Sequence, residues 1–266
     1  MSLPYLSAIF IATAAIALIC LERLRPYDKR QKLFRRGWLM DLALYGLLQS
    51  WLLGLVIHAL IRAMDRGTGL SRMHIVSSWP MGTQLVFFLL SHDLYIYVFH
   101  RLQHRFPALW RIHEAHHSAK QVDWISGARS HALEILINQT IEFAPIVLLG
   151  AAPEIAIWKG VIDSVWGMYI HANIDVRSGF LQKIFNGPEM HRWHHSRDVI
   201  DINFATKFAF WDFLFGTAYH PRRRKPVAYG LHGRDQQFPE TFIAQQLEIL
   251  RPRRALSTAA PVLSHK

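Results

Sequence analysis

The sequence holds a single cysteine, Cys20, and few charges: 18% of its 266 residues, against a usual figure of about 25%. One cysteine excludes a disulfide scaffold, a cysteine-rich zinc domain and a cysteine-bound iron–sulfur centre. Acidic residues are scarcer than basic ones, 19 against 30, for a formal charge of +11. No internal repeat or low-complexity segment stands out. With 51% hydrophobic residues the chain buries enough surface to fold, which excludes disorder. Only the residues from about Ser257 read as a frayed tail. What the chain has in excess is apolar length and histidine, 16 in all.

Four apolar stretches stand out. Leu3 to Leu21 is free of charge and long enough to cross a bilayer. A signal peptide fits it less well, because no basic segment precedes it and no small-residue cleavage site ends it. Trp38 to Leu60 is interrupted by Asp41, Gln49 and His58, and Trp79 to Phe99 by His92 and Asp93. Ala132 to Ile170 is too long for one crossing, and Pro145, Gly150 and Pro153 mark a turn in it. It reads as a helical hairpin, spanning or re-entrant, with both ends on one side. The expected fold is all-α, with about four to five transmembrane or re-entrant helices and a cytoplasmic helical cap holding a di-metal site.

Lys and Arg counts orient the loops. Seven fall in residues 22–36, five in 101–129 and 14 after Ala172, but three in 61–80. Alternation then puts the first three segments on the cytoplasmic face and the N-terminus outside. The cluster from His220 to Lys225 would face anionic headgroups or water. Nucleic acid is not expected, since no recognition motif accompanies the charge.

Ten of the 16 histidines lie between residues 100 and 195. His100 and His104 are four apart. His113, His116 and His117, and again His191, His194 and His195, fall at i, i+3 and i+4. On a helix this spacing gathers imidazoles on one side, as a shared metal requires. His131 and His171 stand singly at the two ends of the fourth stretch. All ten fall on the face assigned to the cytoplasm. They exceed the ligands of one ion, so two metals fit the count. Glu114 with His117 is the sole Glu-x-x-His pair near a cluster, which argues against a carboxylate-rich site. Lys159 and Asp163, four apart within an apolar stretch, are placed to pair.

These boxes resemble the membrane fatty acid hydroxylase and sterol desaturase superfamily. The likeness runs from about Asp93 to Tyr219. It rests on D-L-Y-I-Y-V-F-H-R-L-Q-H, L-W-R-I-H-E-A-H-H-S, R-S-H-A-L-E, H-A-N, P-E-M-H-R-W-H-H, D-I-N-F-A and W-D-F-L-F-G-T. The resemblance implies two non-haem iron ions, O2 as co-substrate and an external electron donor of cytochrome b5, ferredoxin or flavoprotein type. It implies hydroxylation, or desaturation, of a membrane lipid such as a fatty acyl, sterol or related lipid. Its ligand positions match all ten histidines. Two departures stand out: Ala132 follows His131 where the family has proline, and Asn203-Phe204-Ala205 replaces Asn-Tyr-Gly. Asn173, Asp201, Asn203 and Asp212 are candidates to orient the ligands or a bound water. The expected membrane is a bacterial inner membrane, or the endoplasmic reticulum in a eukaryote. The expected division is residues 1–92 for the first helices and basic loop, 93–219 for the histidine-box domain and 220–266 for a basic tail.

Two other readings remain. His113-Glu114-Ala115-His116-His117 satisfies the H-E-x-x-H motif of a membrane zinc metalloprotease. A histidine-rich metal-binding or transport protein is the other, although a transporter places its ligands at mid-membrane.

Overall fold

In the computed structural model the described residues are 1–221, 224–232 and 237–251. The tail from Ser257, and Arg222 and Arg223 of the basic cluster, lie outside them. The described residues are helical, with two isolated bridges, Pro26 with Ile174 and Ser196 with Tyr229.

Three helices are long and apolar enough to cross a membrane: α1 (Leu3–Leu24), α2 (Met40–Thr68) and α3 (Met81–Arg105). Their large apolar residues are widely exposed, among them Phe10, Trp51 and Val86, each more than half exposed. Helices of this length with apolar outer faces are stable in lipid, where water imposes no penalty on them. The first ten residues of α2, Met40–Gln49, are wound as a π-helix.

The fourth stretch is a hairpin of α5 (Ala132–Leu148) and α6 (Pro153–His171). It carries Glu134, Glu142, Glu154, Lys159 and Asp163, and neither of its helices is among the three long and apolar enough to cross a membrane. The reason is its position. α1 packs along α6, α2 along α5, and α3 against both, so the hairpin is the interior of the bundle. Glu134, Glu142, Lys159 and Asp163 meet protein partners instead of lipid. Its turn reaches the loop between α2 and α3, where Val76 N–H donates to the Leu149 carbonyl at 3.1 Å. Gly150 makes this approach possible. Its φ is +70°, and a Cβ there would lie 2.9 Å from the Ser71 carbonyl oxygen. Val76, Phe88, Ile146 and Ile155 form the core at this end.

The opposite end carries the cap. α4 (Pro107–His117) follows α3 after one residue, and α7 (Pro188–His194) and α8 (Phe210–Leu214) follow the hairpin. The basic segments 22–36 and 101–129 lie at this end, as does the chain after α6. Buried ion pairs fasten the cap to the bundle. Arg35 bridges Asp41 and Asp123, each at 2.6 Å, and Arg129 reaches Asp41 at 2.8 Å. Arg192 is wholly buried, with its guanidinium between the rings of Tyr27 and Tyr229. Near the C-terminal end of the described chain, α9 (Phe242–Leu247) rests on the start of α2, where Gln245 meets the Tyr45 hydroxyl at 2.5 Å.

Candidate metal centre

Nine of the ten predicted histidines converge in two groups. His100, His104, His113, His117 and His194 form one; His116, His171, His191 and His195 form the other. Helix geometry explains the division. Residues i and i+4 lie about 40° apart around a helix, whereas i+3 and i+4 lie about 100° apart. The i, i+4 pairs His100/His104, His113/His117 and His191/His195 therefore stay together. The i+3 members, His116 and His194, turn to the other group. A cluster does not serve one metal, as the spacing suggested; the second and third clusters each feed both. The groups touch, with the His117 and His195 rings 4.7 Å apart.

The ring nitrogens have divided roles. In the first group His100 Nδ1–H donates to the Phe204 carbonyl at 2.7 Å, His113 Nδ1–H to Glu134 at 2.7 Å, and His194 Nδ1–H to the Ile202 carbonyl at 2.8 Å. His104 Nδ1 meets Asp201 at 3.3 Å. In the second, His116 Nδ1–H donates to the Arg129 carbonyl at 3.1 Å and His171 Nδ1–H to the Gly167 carbonyl at 2.7 Å. Each such bond leaves Nε2 as a bare lone pair. Those Nε2 atoms point at one another. His113 Nε2 lies 2.9 Å from that of His100 and 3.1 Å from that of His117. His171 Nε2 lies 3.0 to 3.3 Å from those of His191, His195 and His116. Buried His104 Nε2 and His194 Nε2 have no hydrogen-bond partner.

Lone pairs cannot satisfy one another, and buried polar atoms need partners. A cation between them resolves both problems. With metal–imidazole bonds of about 2.0–2.1 Å, neighbouring ligand nitrogens lie roughly 3 Å apart, as these do. In α4 and α7 burial favours the neutral imidazole, as ligation requires. It pushes His116 down to about 4, and His113, His117, His191, His194 and His195 well below the usual histidine value, with the neighbouring histidines adding to the effect at those five. The residues fit two metal ions with imidazole ligands.

His131 is the correction. It joins neither group. Its Nδ1 accepts from Leu133 N–H as the cap of α5, and its Nε2–H donates to the Gln246 carbonyl at 2.9 Å. Both nitrogens are used, so no lone pair is left for a metal.

The four proposed orienting residues also separate. Asp201 touches His104 directly. Asn203 and Asp212 act through the loop between them. Asn203 donates to the Met190 and Tyr219 carbonyls, and Asp212 accepts from Phe204 N–H, Ala205 N–H and the Thr217 hydroxyl. Burial pushes Asp212 up to about 6 against the pull of those donors. This loop supplies the Ile202 and Phe204 carbonyls that hold His194 and His100. Asp201 and Asn203 have φ of +59° and +53°, which short polar side chains tolerate. Phe204, in place of tyrosine, packs its ring 5.1 Å from that of His104. Asn173 touches no ligand. It bonds the Asp28 backbone in both directions, at 2.9 and 3.0 Å, and so ties the basic loop to the end of α6.

Two site residues were not singled out from the sequence. Glu134, buried beside His113, is also held by Gln103 at 2.8 Å. Its signal was present in R-S-H-A-L-E, where it lies in the first turn of α5. Gly127 is the other. A Cβ there would lie 2.5 Å from His171 Nδ1, so only glycine lets that ligand stand where it does. A glycine in a loop gives no such signal. Glu114 of the protease motif belongs to neither group of ligands.

The model of the fatty acid hydroxylase family matches residues 85–217, half of the chain. The ornithine lipid hydroxylase OlsE of Rhizobium tropici is 29% identical over 253 residues, covering 92% of this chain and 75% of that protein. Alkylglycerol monooxygenase of Homo sapiens is 31% identical over 144 residues, and that of Danio rerio 33%. These matches cover 53% of this chain but only 32% and 31% of those proteins, so the chain spans about a third of the alkylglycerol monooxygenases it matches. No solved structure matches the chain. The match of half the chain, on the segment that carries these histidines, shows that the chain belongs to the fatty acid hydroxylase family and is a lipid hydroxylase of the monooxygenase type.

Proposed function

We propose that the nine converging histidines hold two iron ions and that the protein hydroxylates a polar membrane lipid with O2. The carrying observation is the pair of all-imidazole groups, each with its Nε2 lone pairs turned inward. When bound, iron supplies the O2-reducing redox chemistry that an unactivated C–H bond requires. The chain supplies position. Phe204 and Ile202 carbonyls, Glu134 and Asp201 fix the rings, and the hairpin walls the site on its membrane side. One oxygen atom enters the lipid and the other leaves as water, which takes two electrons and two protons. A separate one-electron carrier, of cytochrome b5, ferredoxin or flavoprotein type, delivers the electrons at the cap. Basic segments flank the cap, which supports a cytoplasmic position for it. The relatives named for ornithine lipid and alkylglycerol support a lipid with a polar headgroup. Residues 93–219 are the catalytic unit, 1–92 its membrane anchor and 220–266 its basic tail.

The test expresses the full chain in a host lacking it, supplies isotope-labelled O2 and compares membrane lipids by mass spectrometry. One lipid should gain a single labelled oxygen, and His113→Ala should abolish the product. Loss of two hydrogens with no oxygen gained would show desaturation, and an unaltered lipid profile would refute the proposal.

A further inference from the structure

A cavity of about 220 Å³ lies between α3, α5 and α6. Five ligand histidines from both groups line it, and so do His92, Glu142, Asp163 and Lys207. His92, Ile96 and His100 follow one another at four-residue steps along one face of α3. His92 therefore lies about 12 Å along the helix from the first ligand.

Among the described residues, His92, Glu142 and Asp163 form a third cluster with the make-up of a metal site. The Lys159 ammonium already occupies its centre. Lys159 Nζ lies 3.0 Å from His92 Nδ1, 2.8 Å from Glu142 Oε1 and 2.7 Å from Asp163 Oδ2, one acceptor for each of its three hydrogens. Lys207 Nζ lies 3.0 Å from Asp163 Oδ1 and 3.7 Å from Asp93. An ammonium facing His92 Nδ1 makes that nitrogen the acceptor, so the ring proton is on Nε2. His92 Nε2 is buried without a partner, and the side chain is only 8% exposed. It is an unused donor in a cavity that also reaches the metal ligands.

Charge narrows what it accepts. Two ammonium groups face three carboxylates here, Asp93, Glu142 and Asp163, and no cation is left over for a phosphate or carboxylate. Size narrows it further. The cavity is smaller than the roughly 300–1,000 Å³ of pockets that enclose small ligands, so it takes a segment of a lipid. Building on the lipid hydroxylase reading above, we propose that this cavity anchors the substrate, with His92 Nε2–H donating to an uncharged oxygen of the lipid. That oxygen is an ester, amide, ether or hydroxyl oxygen. The bond sets which carbon reaches the metals. His92 is in this sense a specificity-determining residue.

The test uses the full iron-loaded chain in nanodiscs, with 1-hexadecanoylglycerol and hexadecane as probes. His92→Phe keeps a ring and removes the donor. It should weaken binding of 1-hexadecanoylglycerol by about five- to tenfold and leave that of hexadecane unchanged. His92→Gln keeps an N–H and should restore most of the loss. Equal affinity of wild type and His92→Phe for 1-hexadecanoylglycerol overturns the proposal, and so does an equal loss for both probes. Photolabelling of the unaltered protein gives a second reading that no folding defect can confuse. A diazirine next to the ester should label the surroundings of His92, Asn138 and Glu142. Labelling confined to the outer faces of α1, α2 and α3 overturns the proposal. Iron counted on each variant separates this result from the metal reading: two per chain with no probe discrimination refutes the anchor alone, and no iron refutes the centre.

Discussion

The bonds made by Nδ1 decide what each histidine is for. His113 Nδ1–H donates to a buried carboxylate, which fixes the ring and raises its basicity toward a metal. His131 has the same side chain, yet both of its nitrogens serve the backbone. His131→Ala should therefore keep the full metal content and cost about 1 kcal/mol of stability through the lost cap. Glu134→Gln should do the reverse, lowering metal affinity by about 10- to 100-fold. Metal titration and thermal unfolding of the two variants separate these outcomes. Of the nine converging histidines, His171 came from the family resemblance, and the other eight were legible because helix geometry groups residues three and four apart. His131 was not, because an isolated histidine next to a helix start reads the same as ligand or cap. The hydrogen-bond partners that decide between these roles come from Gln246 and Leu133, and the first of them is remote in sequence.

At the scale of elements, the loop from Asp201 to Ala209 is the part on which the site most depends. It is irregular and has no apolar period, so the sequence offered only its polar residues as hints. Its shape is imposed from α3. Asp93 accepts from the Thr206 hydroxyl, Lys207 N–H, Phe208 N–H and Trp211 Nε1–H. Asp93→Asn turns an N–H toward buried donors and should cost roughly 2–5 kcal/mol. The loop carries the carbonyls that hold His100 and His194, so the five-histidine group should lose its metal before the other group does. Metal-resolved spectroscopy beside a denaturation curve checks this order. The hairpin was read correctly as two helices, but Pro145, taken to mark its turn, lies inside α5, and the turn runs from Leu149 to Ala152. Its place inside the bundle was not legible, because hydropathy records composition and not which helix surrounds which. Lys159 and Asp163 do pair, at 2.7 Å, within a wider network that only the fold assembles.

For the whole molecule, buried imidazoles tie stability to pH. The ordinary value of a histidine is 6.5, and that of His116 in the fold is about 4. Above 6.5 the folded and unfolded chains both carry it neutral, and its contribution is intact. Between 6.5 and about 4 the unfolded chain binds a proton that the folded chain refuses, so stability falls as pH falls. The other five buried cap histidines shift in the same direction and add to the slope. The melting temperature of the metal-free protein in detergent should therefore drop steadily across this window, and a flat profile would contradict the burial of the cap histidines. Overall class was the most legible feature, since apolar length, a basic balance and clustered histidines are all compositional. The division of the histidines into two metal positions was not, because it depends on how three helices face one another.

That division is the central claim, and counting metal tests it most directly. The full chain, purified under iron supplementation, should hold two iron ions. His195→Ala should lose the four-histidine position while its five-histidine partner remains, leaving one. A wild-type count of one, or loss of both ions together in every single-histidine variant, would contradict two separately built sites.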